Sequence, residues 1–334
     1  RYHKVTGVQT CALPISTMSS GKYTYMDSSN LDPSSQSKAL RISSSHIATF
    51  FKYGVVGALW LGGIYVVLLQ TGVVDMLSHF DNSFRYQRGI TPLTSSLTVA
   101  MIISGYVMSL PILQTFMIAT KPISFAPVIT VHNLFLMTMS ALLACGIGFI
   151  VFQDIYYHGF HHSVCSSEVH NNAYLHLFYY LNYLLKYYEF IDTYIIILKK
   201  KDVIFLHWYH HAITALLTYI QQNDYTPVQW VPIFMNLIVH VVMYSYYLLS
   251  SWHFKVWWKQ YLTLFQIVQF VVDLTVCLYC SLQLENIPKT CEGTRLAAYS
   301  GVGIIGSYFF LFIHFYIQNY KRKEKRSEER RVGK

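Results

Sequence analysis

Charge is scarce in this sequence. Asp, Glu, Lys and Arg make up 12% of its 334 residues, about half the share of an ordinary soluble domain. That scarcity excludes a water-soluble globular protein. Some 53% of the residues are A, V, I, L, M, F, W, Y or C, the mean hydropathy is +0.33, and a single soluble core stops growing at about this length. Proline is thin inside the apolar runs, with Pro111 and Pro232 the main exceptions, which speaks against the broken half-helices of a transporter. The first 45 residues contain no apolar stretch of the secretory-signal kind. The 25 basic residues outnumber the 16 acidic ones, but they lie scattered between apolar runs except near the C-terminus, which excludes nucleic acid as a partner. There are only six cysteines. Cys145, Cys277 and Cys280 fall inside apolar runs and read as buried thiols, whereas Cys165 and Cys291 fall in polar stretches.

What is abundant is apolar run length. Eight segments are long enough to cross ~30 Å of hydrocarbon as helices: about 49–72, 94–119, 129–153, 174–198, 203–221, 228–250, 260–283 and 297–319. Helix is the expected state throughout, because an unpaired backbone is too costly in lipid for anything but a helix or a closed barrel. Residues 1–16 resemble translated adapter sequence and are expected to be a non-native leader, as are the last few residues. The native start would then be Met18 or Met26. Residues 17–48 read as a disordered polar arm, 49–75 as an extra N-terminal span, 92–320 as one membrane domain and 321–334 as a basic tail. The connectors with Lys121, with Lys199, Lys200 and Lys201, with Lys255 and Lys259, and with the run from Lys321 to Arg326 share one side, expected to be cytosolic. The connectors 158–172 and 286–295 fall on the other, where oxidation is allowed. The sequence therefore predicts a Cys165–Cys291 disulfide, with two free thiols as the plainer alternative.

Polar residues inside membrane spans are costly and default to function, and four clusters stand out. Lys186, Glu189 and Thr193 share one helix face with Asp192 beside it; an ion-paired helix end is the alternative. His207, His210 and His211 sit at i, i+3 and i+4, where imidazoles can transfer protons, act as nucleophiles or ligate a metal. Asn236, His240, Tyr244 and Tyr247 form a stripe on a later span. Packing explains the tyrosines but not an Asn and a His at mid-span. Gln266 and Gln269, with Asp273 a turn on, could equally be amides bonding a neighbouring helix.

These clusters, KYYEFIDT, HWYHHA, NLIVHVVMYSYY and TLFQIVQF, resemble the four signature boxes of the ELO family of very-long-chain fatty acid elongases, in the family's order and spacing. The stretch TKPISFAPVITVHNLFL (120–136) is similar to the Lys-Pro connector after the family's first core span. The resemblance covers about 92–326 and is strongest to fungal members. It implies an all-α integral membrane fold with a seven-helix core, six helices around an acyl tunnel, and the span at 49–72 as an addition. It implies a multi-pass protein of the endoplasmic reticulum with a cytosolic C-terminus. A lumenal disulfide also fits the family.

The activity implied is that of a very-long-chain 3-oxoacyl-CoA synthase. Long-chain acyl-CoA and malonyl-CoA give 3-ketoacyl-CoA, CO2 and CoA, with no cofactor. No cysteine sits in an electropositive site that would activate a thiolate, so His210 is the expected acyl acceptor. His240 would serve the malonyl end, while His207 and His211 orient groups or carry protons. Glu189 and Asp192 would fix imidazole tautomers, and Lys186 would offset their charge. Asn236, Tyr244, Tyr247, Gln266 and Gln269 would hold the thioester and pantetheine. Lys255 and the other basic-side lysines would meet CoA phosphates, although positive-inside bias explains them as well. Partners implied are membrane lipid and the reductase, dehydratase and enoyl reductase of the elongation cycle, with a homodimer left open. Two rivals differ in class. A di-iron desaturase or hydroxylase is suggested by a second His-x-x-His-His string, HGFHH at 158–162. One span separates it from HWYHH, so the two strings fall on opposite sides, and a third His box is missing. A multi-span transporter is the other.

Overall fold

The computed structural model describes residues 84–123, 126–254 and 256–321; the expected leader, polar arm, extra span, Lys255 and most of the basic tail lie outside these. Two compact units divide the chain. In the second, the described residues 248–254 and 256 finish one helix and turn at His253, whose φ is +63°. Phe254 N–H closes that turn by donating to the Leu249 carbonyl at 3.1 Å. Everything else concerns the first unit.

Among the described residues the regular structure is helical. The helices are α1 (Ser96–Ile118), α2 (Ala126–His158), α3 (Phe160–Cys165), α4 (Ser167–His170), α5 (Ala173–Tyr188), α6 (Phe190–Leu198), α7 (Phe205–Asn223), α8 (Trp230–Ser251, after a 3-10 turn at Pro227–Gln229), α9 (Lys259–Leu284) and α10 (Arg295–Tyr316). Starts are marked by capping side chains. Ser95, Asn172 and Thr294 each accept a first-turn N–H, which satisfies donors that a helix leaves orphaned.

Five segments are long and apolar enough to cross a bilayer: α1, α2, Pro227–Ser251, α9 and the stretch Arg295–Tyr320. These match five of the spans read from the sequence, with α2 running about a turn further at its end. The spans expected at 174–198 and 203–221 are also helical but differ in kind. The first is interrupted at Glu189, giving α5 and α6. The second, α7, carries the three histidines and ends in Gln221, Gln222 and Asn223, so its length is right but its polarity is higher. The connector 158–172, expected to be irregular, holds two short helices because Ser166 caps α4.

Packing gathers the connectors into two ends. Ile123 N–H donates to the Leu198 carbonyl at 2.8 Å, bringing the Lys121 connector to the Lys199–Lys201 connector. The latter closes α6 with paired bonds, Lys201 N–H to Ile196 O and Lys200 N–H to Ile197 O. Lys200 takes the left-handed position, φ +55°, usually given to glycine in this cap. At the far end Cys165 and Cys291 are joined in a disulfide, Glu292 N–H donates to Cys165 O, and Thr294 N–H donates to Tyr225 O. Between the ends, α1 is tied to α6 by Tyr106 hydroxyl to Thr193 hydroxyl at 2.6 Å and by Tyr106 stacked on Phe190, centroids 4.0 Å apart. Helices α2 and α5 approach closely at Gly146, where a Cβ would meet the Phe178 ring at 2.6 Å.

Candidate active site

Helices α5 to α10 place the polar clusters around one chamber. Lys186, in the last turn of α5, and Glu189, at the junction with α6, are both almost fully buried. Burying a lone ammonium or carboxylate would be prohibitive, so each needs a partner. Lys186 Nζ donates to Glu189 Oε1 at 2.9 Å and to Asn236 Oδ1 on α8 at 2.8 Å. The same carboxylate reaches two imidazoles: Oε1 lies 3.2 Å from His240 Nδ1 and Oε2 lies 4.0 Å from His211 Nδ1. Glu189 thus links three of the four clusters through direct contacts.

The α7 histidines diverge in use. His207 and His211 pack against each other, centroids 4.6 Å apart. The His210 ring leans on Tyr308 of α10, 4.7 Å away, and on Phe312, while Tyr308 bonds Thr214 at 3.0 Å. Of the buried imidazole nitrogens, His207 Nε2 has no hydrogen-bond or ion-pair partner, whereas His211 Nδ1 and His240 Nδ1 face the Glu189 carboxylate. Buried polar atoms are nearly always satisfied, so the unpartnered His207 Nε2, on a residue that borders an open space, is the nitrogen left for a polar ligand.

That space is a small cavity of about 50 Å³ lined by His207, His210, His211, His240, Asp192, Asn236, Tyr247, Gln266 and Gln269, among others. A second cavity of about 70 Å³ is lined by Lys186, His210, Asn236, Gln269 and Asp273 together with Leu217, Ile233, Ile305 and Tyr308. His210, Asn236, Gln269 and Phe270 line both, so the two cavities lie side by side with these residues in the wall between them. His210 and His240 face the same chamber.

Some expected residues lie elsewhere. Tyr244, fully buried, donates to Asp192 Oδ2 at 2.7 Å and does not line either of these cavities. Asp192 lines the chamber but forms no hydrogen bond or ion pair with the histidines of α7. Its partner is His132 of α2, Nε2 to Oδ1 at 2.8 Å, with the Tyr188 ring stacked on the imidazole. The sequence reading did not single out His132, although an ionisable residue inside an apolar span is the signal that marks one. Gln269 donates to Asp273 at 3.1 Å while still lining the chamber. Gln266 reaches only the Met243 sulfur, at 4.0 Å. Outside the spans, burial, with Lys199 and Lys259 nearby, pulls the Lys201 ammonium down to about 8.

Comparison with known proteins gives this arrangement its family. The family model described as "ELO: GNS1/SUR4 family" matches residues 91–328. "Putative fatty acid elongase 1" of Schizosaccharomyces pombe is 40% identical over 262 residues, covering 76% of this chain and 78% of that one. "Fatty acid elongase A" of Dictyostelium discoideum is 35% identical over 263 residues, covering 78% of this chain and 96% of that one. A chain with these apolar helices, matched across this span, is a multi-pass membrane protein and belongs to the ELO: GNS1/SUR4 family of fatty acid elongases.

Proposed function

We propose that this protein lengthens long-chain acyl-CoA by condensing it with malonyl-CoA, giving 3-ketoacyl-CoA, CO2 and CoA, and that His210 carries the acyl group in between. One observation supports this above the others: His210 lines both the polar chamber and the second, largely apolar cavity. An acyl chain lying in the apolar cavity would bring its carbonyl carbon to that ring. Imidazole attack on the thioester forms an N-acyl bond and releases CoA. Malonyl-CoA then loses CO2 in the chamber. The resulting enolate attacks the acyl carbon and expels the imidazole.

The remaining residues take supporting parts. His240, tied to Glu189, faces the malonyl end. His207, with its unpartnered Nε2, and His211, beside Glu189, carry protons. Lys186 orients Glu189 and holds Asn236 at the chamber wall. Asn236, Gln266 and Gln269 bond the thioester region. Lys199, Lys201 and Lys259, which lie close together, would receive the CoA phosphates at the basic end, with Lys255 in the same connector. We place the protein in the endoplasmic reticulum membrane with the basic end cytosolic, where it would work with the reductase, dehydratase and enoyl reductase that complete a cycle. The two His-x-x-His-His strings stand at opposite ends of the helices, which disfavours one di-iron centre between them.

The experiment is incorporation of labelled malonyl-CoA by membranes containing the protein. Label should enter a product two carbons longer than the acyl-CoA supplied, and only when both thioesters are present. Membranes that incorporate no label with any acyl-CoA from ~12 to ~24 carbons would overturn the reading.

A further inference from the structure

The string HGFHH is not used by the chamber, and its geometry is that of a metal-binding site. Asp154 and His158 are one turn apart near the end of α2, so their side chains share a face. Gly159 follows with φ +85°, a backbone turn open to glycine, and it sends α3 off in a new direction. The turn brings His162 back over Asp154. The result is that His158 Nδ1 lies 2.9 Å from Asp154 Oδ1, and His162 Nδ1 lies 3.1 Å from both carboxylate oxygens. The two rings are 4.7 Å apart. His161, between them in sequence, is held away by Tyr279 and the Thr290 carbonyl.

We propose that Asp154, His158 and His162 bind one divalent ion of the zinc class. The donor atoms already lie within 4.8 Å of one another. A tetrahedral zinc with bonds of about 2.0–2.1 Å separates its donors by about 3.3 Å, a few tenths of an ångström more than the present imidazole-to-carboxylate spacings of 2.9 and 3.1 Å. Two imidazoles and one carboxylate suit zinc, and no thiolate competes because Cys165 is in the disulfide. His162 also has an outer partner: its Nε2 lies 3.5 Å from Glu168 Oε2. Carboxylate-to-imidazole contacts of this kind fix the ring with Nδ1 free for a metal. The support is firm, since Cys165 is bridged to Cys291 and Trp230 Nε1 donates to the Ser163 carbonyl at 2.9 Å, which anchors α3. The His158 side chain is 56% exposed and that of His162 27%, so an ion can enter and a water can complete its shell.

The test uses the full chain without a polyhistidine tag, purified in detergent, stripped with EDTA, reloaded with zinc chloride and desalted. Elemental analysis should find about one zinc per chain in the wild type, in His161→Gln and in His207→Gln. Asp154→Asn and His162→Gln should lose it, and Glu168→Gln should bind about 10-fold more weakly. Cobalt(II) in place of zinc should show the visible absorption of a four-coordinate ion, absent from Asp154→Asn. Circular dichroism and elution volume confirm that each variant is folded. A folded wild type that retains no zinc, Asp154→Asn and His162→Gln variants that retain as much as wild type, or loss in His207→Gln would each overturn the assignment.

Discussion

Two stretches of this molecule carry the same pattern, His-x-x-His-His, and the fold uses them differently. HWYHH at 207–211 lies on one unbroken helix, buried among α5, α8 and α10, with Glu189 shared between His211 and His240. HGFHH at 158–162 is broken after its first residue by a glycine turn, sits partly exposed at a helix end, and folds two of its rings onto Asp154. Residue type and spacing are identical. Surroundings decide the chemistry: buried imidazoles around one space suit a covalent and proton-transfer role, while imidazoles sharing one accessible carboxylate suit an ion.

The comparison is broken most directly by equal treatment of the two strings. His210→Ala should lower condensation by at least ~10³-fold, measured as labelled product per folded protein, whereas His161→Ala should stay within a few-fold of wild type. Equal losses would mean that the second string belongs to the reaction. The buried charges of the chamber offer the next largest effect. Lys186→Met leaves Glu189 without its ammonium partner in a dry site, which costs about 3–5 kcal/mol. Thermal unfolding in detergent should fall by many degrees, and Lys186→Met/Glu189→Gln should recover part of it. At the other end, Cys165→Ser removes a bridge between residues 126 apart in sequence and should cost about 2–5 kcal/mol. Its thermal stability should match that of the wild type under reducing conditions.

The smallest expected effect concerns the basic end. The Lys201 ammonium, drawn down to about 8 by burial beside Lys199 and Lys259, is charged below that pH and neutral above it. A phosphate prefers the charged form. The KM for acyl-CoA should therefore rise a few-fold between pH 7 and pH 9. Lys201→Arg stays charged throughout and should flatten the rise; an unchanged pH profile would remove Lys201 from the CoA site.

Much of this was legible in the sequence because a bilayer makes strong demands. Apolar runs had to be helices, and polar residues within them stood out against the background. That is why Lys186, Glu189, His210, His240 and Asn236 could be gathered before any coordinates. What stayed hidden depends on distances across the fold. The pairing of His132 with Asp192 needs α2 to lie against α6, 60 residues away in sequence. The buried bond from Tyr244 to Asp192 needs the direction of one hydroxyl. The bend at Glu189 carries no glycine or proline to announce it. Nor does helical periodicity place His162 over Asp154, since a left-handed glycine intervenes.

The central claim is that the acyl group rests on His210. Incubation of the purified enzyme with a long-chain acyl-CoA alone, with malonyl-CoA withheld, followed by rapid proteolysis and mass spectrometry, tests it. The account predicts release of free CoA and an acyl-shifted peptide whose fragments place the added mass on His210, cleared on addition of malonyl-CoA. An acyl adduct on another residue that malonyl-CoA clears equally well, or full condensation by His210→Ala, would contradict it.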